Sequence, residues 1–268
     1  DLPGDILWGN ASGPVGDLID RRLPLDPPRP LADPQLIAGA AKLLDQSQRP
    51  IIIAGSGVLW SKAWLELRDF VEASGIPVLT TPAARGLLPE THPLCLNGAR
   101  ATAFRETDCI IVVGTRANYV VNWLQPPVIN PESHIIQIDI NPQELSRTRV
   151  ADVGISAAAQ MALRQLTVEA GEWSSSERFA DWVLYLQSVH SASLARVRKV
   201  ADFDGVPIHP LRLCAELDSV LPQETIVVVD GQDILGASRR ALTVHRPGSM
   251  ITPGVYGTMG VGMPFAIG

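Results

Sequence analysis

From Pro34 onward the apolar residues alternate between two periods. Leu36, Ile37, Ala40, Ala41, Leu43 and Leu44 fall at helical spacing, and Pro50 then introduces Ile51-Ile52-Ile53-Ala54. A run that short and continuously apolar predicts a strand buried on both faces. Gly55-Ser56-Gly57 follows, then a helical stretch holding Trp64, Leu65, Leu67, Phe70 and Val71 that Gly75 ends, then a second strand at Pro77-Val78-Leu79-Thr80. The runs 109–114 and 134–139 are of the same strand type. Alternation of such strands with helices up to about Leu166 predicts an α/β domain with a doubly wound parallel sheet.

The pattern then changes. Trp173, Phe179, Trp182, Leu186 and Val189 keep helical spacing through 171–200, with Arg196, Arg198 and Lys199 near the end where cations suit the helix dipole, so a connecting helix is expected. Asp204-Gly205 breaks it. Pro210 opens a helix through Leu211, Leu213, Cys214, Leu217 and Val220, and Thr225-Ile226-Val227-Val228-Val229 is another buried strand. The first part of a second α/β domain begins here. The leading stretch, with seven prolines in 1–34, cannot sustain a helix or a central strand. The expected divisions are a linker 1–34, a nucleotide-binding α/β domain 35–168, a connecting helix 169–204 and the start of a further domain 205–268.

Charge narrows the function classes. The 268 residues carry 22 Lys and Arg against 28 Asp and Glu, a net −6 that argues against a nucleic-acid-coating protein. No apolar run is long enough for a membrane span and no signal segment is visible, so a cytoplasmic protein is expected. The three cysteines show no Cys-x-x-Cys spacing, the five histidines no metal-ligand spacing, and no Gly-x-Ser-x-Gly elbow is present.

Ligands of open parallel sheets bind beyond the carboxyl ends of the strands. Three such ends are candidates here: the Gly55-Ser56-Gly57 turn for a pyrophosphate, Arg116 for a phosphate, and Asp139 for ribose hydroxyls. Each has a plainer alternative: a tight strand–helix turn, a surface ion pair, and an N-cap on a helix near Pro142. Trp at position 60 breaks the full dinucleotide fingerprint. Farther on, Asp230-Gly231-Gln232 leaves a strand, and glycines 257, 260 and 262 permit either close ligand approach or close helix packing.

Several segments resemble thiamine-diphosphate enzymes of the acetolactate synthase superfamily: Asp1-Leu2-Pro3-Gly4-Asp5, Gly86-Leu87-Leu88-Pro89-Glu90-Thr91-His92-Pro93, Ile136-Gln137-Ile138-Asp139-Ile140-Asn141-Pro142 and Gly257-Thr258-Met259-Gly260-Val261-Gly262. Within it, Gly98-Ala99-Arg100, the run 114–119 and Gln125-Pro126-Pro127 look like 2-hydroxyacyl-CoA lyases and oxalyl-CoA decarboxylases. The resemblance implies a middle domain binding ADP or the ADP part of CoA through Gly55, Ser56, Gly57, Arg100, Arg116 and Asp139. It implies thiamine diphosphate held by Asp230, Gly231, Gln232, Tyr256, Gly257, Thr258 and Met259, with the Gly257 carbonyl receiving the aminopyrimidine and Met259 wedging the cofactor into a V. Ser156-Ala157 departs from the Gly-Asp that relatives often carry there.

The chemistry so implied is breaking or forming a carbon–carbon bond next to a carbonyl, with an acyl-CoA or a 2-oxo acid or aldehyde as substrate and the ring as electron sink. The resemblance also implies Mg²⁺ and a homo-oligomer, dimer or tetramer, with a peroxisomal location if the source is eukaryotic. The activating Glu is expected before Asp1 and the metal motif beyond Gly268, so neither a catalytic residue nor a metal ligand is assigned within 1–268, and the segment alone is expected to be inactive. Three other readings remain: an acetolactate synthase-like carboligase with FAD, which the residues at 97–99 and 116–119 disfavour; a noncatalytic ADP-binding module; and a sirtuin-like NAD enzyme, whose four-thiolate zinc three cysteines cannot supply.

Overall fold

A computed structural model describes residues 5, 8–10, 28–173 and 177–268. All of the Asp1-Leu2-Pro3-Gly4-Asp5 motif but Asp5, and most of the 1–34 stretch, therefore lie outside the described residues. Asp5 and Trp8 are helical, against the expectation that this stretch sustains no helix, because its first prolines, Pro3 and Pro14, stand outside 5–8. In chain order the first region comprises α1 (Pro34–Gln46), β1 (Pro50–Ala54), α2 (Ser56–Trp60), α3 (Trp64–Ser74), β2 (Val78–Thr80), α4 (Arg100–Glu106), β3 (Cys109–Val113), β4 (His134–Asp139), β5 (Val153–Ser156) and α5 (Ala159–Trp173). Asp33 caps α1, accepting from Gln35 N at 2.8 Å with Pro34 behind it, and Gly75 ends α3 in the left-handed conformation.

All pairings in the sheet are parallel, in the order β2-β1-β3-β4-β5. Side chains alternate between its two faces. Ile52, Ala54, Ile111, Val113, Ile136 and Ile138 pack beneath α1, α3 and α5, whereas Ile51, Ile53, Ile110, Val112 and Ile135 pack with Phe104 of α4. Every residue of β1 and β3 is buried, which is why these strands read as unbroken apolar runs. Strand β5 has no such run. It is a partly exposed edge strand recruited by pairing Ile136 with Val153 and Ile138 with Ile155.

The expected single helix over 171–200 is two helices. α5 continues to Trp173, so the expected boundary at 168/169 falls inside it, and α6 (Ala180–Ala201) starts anew after Phe179, whose side chain is buried. Helical spacing carried across that join because Phe179 serves the core while standing at the N-cap of α6. Nor is α6 a mere connector. Trp182 and Leu186 fill the second face of the sheet, Trp182 Nε1 donates to Pro50 O at 3.1 Å, and Ala201 reaches a separate apolar cluster. That cluster joins Leu211 and Cys214 of α7 (Pro210–Val220) to Ala237 of α8 (Asp233–Ala241). Between those helices, only β6 (Val227–Val228) of the expected 225–229 strand pairs, in parallel with β7 (Met250–Ile251); α9 (Gly262–Ile267) closes the chain.

Candidate functional site

Because β2 and β3 flank β1 on opposite sides, chain direction reverses between β1 and β3, and such switch points form crevices at the carboxyl ends of strands. The two turns there cross in close contact. Gly55 N donates to Val113 O and Gly57 N to Gly114 O, both at 2.8 Å. A Cβ on Gly57 would stand 2.7 Å from Gly114 Cα, and one on Gly55 only 2.2 Å from Thr115 Cβ. Both glycines thus answer to packing between turns, and their N–H groups are already spent. Gly55 is buried beneath the crevice, while Ser56 and Gly57 line it.

The crevice has two lobes sharing Gly57, Trp60, Gly114 and Asp139. One, of about 340 Å³, is apolar, walled by Ile138, Ile140, Ala157 and Ala158, with Arg29 and Lys62 also lining it. The other, of about 360 Å³, is more polar than the first, lined by Thr115, Arg116, Asn118 and, from the second region, Arg239 and Thr252 beside Ala83, Val120 and Val255. The crevice thus offers an apolar wall, a carboxylate shared by the two lobes, and cationic side chains in both, groups that a nucleotide can use. Trp60 is 80% exposed and borders both lobes.

Asp139 does not cap the turn at Pro142–Glu144; Asn141 does, accepting from Gln143 N at 3.1 Å. Asp139 Oδ1 instead accepts from Asn141 N at 2.9 Å. Burial pushes its carboxyl above the usual range, against that hydrogen bond, and the Glu144 charge adds to the rise. Arg116 is largely exposed with Nε 3.5 Å from Glu144 Oε1, so it has the surface ion pair and still faces the polar lobe. Arg100 lies elsewhere. It stacks on Phe104 at 5.3 Å, donates from Nη2 to Thr80 O, and lines an adjoining cavity.

In the second region the two expected cofactor segments come together. Asp230, beyond β6, accepts from Gly231 N through Oδ1 and from Gly262 N through Oδ2, each at 2.8 Å. These backbone N–H groups, Gly262 first, hold its carboxyl below the usual range. A Cβ on Gly262 would stand 2.7 Å from Asp230 Cβ, so that glycine is needed for the approach. Gly254, Gly257 and Gly260 take φ of +69°, +63° and +87°, with open space where a Cβ would stand. Tyr256 and Met259 are 91% and 79% exposed, and Gly257 and Thr258 are exposed as well. Gly231 sits at φ +95° and Gln232 at the N-cap of α8.

Sequence reading missed the junction between the regions. Arg85 Nε and Nη2 grip the two Glu90 oxygens at 2.6 and 2.5 Å, and Nη2 also donates to Leu242 O at 2.6 Å. Val244 N donates to Glu90 Oε2 at 2.9 Å, and Tyr119 OH to Val255 O at 2.9 Å. Gly86, at φ +81°, lies so close to Arg246 that a Cβ would come within 2.2 Å of its carbonyl oxygen. The Gly86–Glu90 signature thus docks the 242–246 loop. Arg85, standing just before that signature, was the available signal.

The sequence matches known proteins. Residues 37–166 match the family described as thiamine pyrophosphate enzyme, central domain, and the chain belongs to the thiamine-pyrophosphate-dependent enzyme superfamily. Over its full length the chain is 26% identical to human 2-hydroxyacyl-CoA lyase 1, 27% to oxalyl-CoA decarboxylase of Escherichia coli, and 33% to a probable acetolactate synthase large subunit of Methanocaldococcus jannaschii. It covers 46%, 48% and 47% of those proteins respectively, so the chain spans about half the length of the curated relatives it matches. No helix among the described residues is long and apolar enough to cross a membrane.

Proposed function

We propose that the intact protein is a thiamine-diphosphate-dependent carbon–carbon lyase or decarboxylase acting on a 2-hydroxyacyl-CoA or oxalyl-CoA type substrate. The observation that carries this reading is the union of the Asp230-Gly231-Gln232 turn with the Gly257–Gly262 segment through the Asp230–Gly262 hydrogen bond. The residues fit the cofactor: positive-φ glycines leave backbone bare toward open space, and Met259 projects beside them. Thiamine diphosphate, with Mg²⁺, supplies the electron sink for the carbon–carbon step. This chain's part is to present the Gly257 carbonyl and the Met259 side chain to the ring system, with Asp230 fixing the segment that carries them. The two-lobed crevice takes ADP or the ADP part of CoA, the base in the apolar lobe, ribose hydroxyls on Asp139 and phosphate toward Arg116. The intact enzyme is a homo-oligomer in this reading.

The test is aldehyde release from a 2-hydroxyacyl-CoA, or CO₂ release from oxalyl-CoA, by the intact protein with thiamine diphosphate and Mg²⁺. Turnover dependent on the cofactor supports the reading; no turnover of either substrate contradicts it. A second reading, an acetolactate synthase-like carboligase with FAD in the crevice, draws on the 33% identity to the archaeal relative. It requires bound-flavin absorbance in the purified protein. A noncatalytic nucleotide module would bind ADP and ignore thiamine diphosphate.

A further inference from the structure

Next to the polar lobe of the crevice, and sharing Pro82, Tyr119, Val120 and Arg239 with it, lies a separate cavity of about 270 Å³. It leads to a hollow of about 630 Å³ that shares Arg85, Glu90, Asn97, Arg100 and Arg239. Its charges do not balance. The cavity brings together three guanidinium groups, those of Arg85, Arg100 and Arg239, and one carboxylate, Glu90. That carboxylate is saturated: Oε1 accepts from Arg85 Nε and, at 3.2 Å, from Asn97 Nδ2, while Oε2 accepts from Arg85 Nη2 and Val244 N. Glu90 therefore compensates Arg85 alone.

Arg100 has no acidic partner among the described residues, and its Nη1 is shut off from solvent with no acceptor. Burial pulls its pKa down to about 10, so it remains a cation at neutral pH. On the facing side, Arg239 is exposed and also lacks an ion pair among the described residues; partial desolvation and the Arg85 charge disfavour its cationic form, against the pull of Tyr119. In the larger hollow Arg198 and Arg240 add positive charge, whereas the carboxylate of Asp218 is taken by Thr243 N at 2.6 Å and Thr243 Oγ1 at 3.0 Å. An uncompensated buried guanidinium is costly, and its planar fork suits phosphate and carboxylate oxygens.

We propose that this cavity binds a small oxyanion, a phosphate or a carboxylate, held between Arg100 and Arg239. Arg100 begins α4 in the first region and Arg239 belongs to α8 in the second, so the anion bridges the two. This site shares Arg239 with the nucleotide crevice, whereas Arg100 lines only this cavity and its adjoining hollow and Arg116 lines only the crevice.

Calorimetric titration of the intact protein with inorganic phosphate and, separately, malonate at constant ionic strength tests it, with chloride as the blank. At least one of the two oxyanions saturates and chloride does not; the tighter one tells phosphate from carboxylate. Arg100→Met and Arg239→Met each weaken that binding by roughly tenfold or more, and Arg116→Met leaves it unchanged. Should Arg100→Met fail to fold, Arg239→Met, at an exposed position, decides together with Arg116→Met, because Arg239 lines both the cavity and the crevice whereas Arg116 lines the crevice alone. Absence of saturation with both oxyanions, affinity unchanged in the cavity variants, or loss with Arg116→Met would overturn the proposal.

Discussion

Gly57 and Gly114 meet where the β1 and β3 turns cross, and a methyl group on either would enter the backbone of the other. Gly114 also holds φ at +58°. Ala in that conformation costs about 1–2 kcal/mol before any clash is relieved. Gly114→Ala is therefore expected to lower stability by at least that much in urea unfolding; an unchanged midpoint would count against the crossing. Asp139 makes the second residue-scale prediction. In the proposed nucleotide site its carboxylate form would accept from ribose hydroxyls, so ADP affinity is expected to fall as pH drops through its raised pKa, and Asp139→Asn to weaken binding and flatten that pH dependence. Titration of ADP at several pH values checks this. That Asp139 and Arg116 border the crevice was legible because Asp139 ends β4 and Arg116 stands in the turn beyond β3. That the glycine turn's N–H groups are spent on Val113 and Gly114 was not legible, since it depends on which turns cross.

At the scale of elements, the ion pair of Arg85 and Glu90 ties the loop between β2 and α4 to the loop between α8 and β7. The pair is buried, with 7% and 13% of the two side chains exposed. Removing one partner strands the other, at a cost of about 3–5 kcal/mol. Arg85→Met should lower the urea midpoint accordingly, and Arg85→Met with Glu90→Leu should recover part of the loss. A double variant no more stable than the single one would show that packing rather than charge holds the junction. The strands β1, β3 and β4 were legible in the chain because both their faces are buried. Strand β5 was not, because a half-exposed edge strand carries no apolar run and exists through pairing with β4. The helix over 171–200 was read as one element because spacing cannot tell a continuous helix from two whose apolar faces serve one core.

Across the whole molecule, the first region is a complete parallel sheet, and the second supplies Arg239 and Thr252 to the crevice as well as the Asp230–Gly262 union. That union was legible only as two separate glycine-bearing segments; their meeting is tertiary, set by one carboxylate at a strand end. It is also where the functional account stands or falls. The most direct test is calorimetric titration of the intact protein with thiamine diphosphate in the presence of Mg²⁺. Saturable binding is expected, weakened by roughly tenfold or more in Gly257→Val, where a branched side chain is forced into the left-handed region at the proposed cofactor site, and unchanged in Asp139→Asn. No binding to the wild-type protein, or binding indifferent to Gly257→Val, would contradict the account.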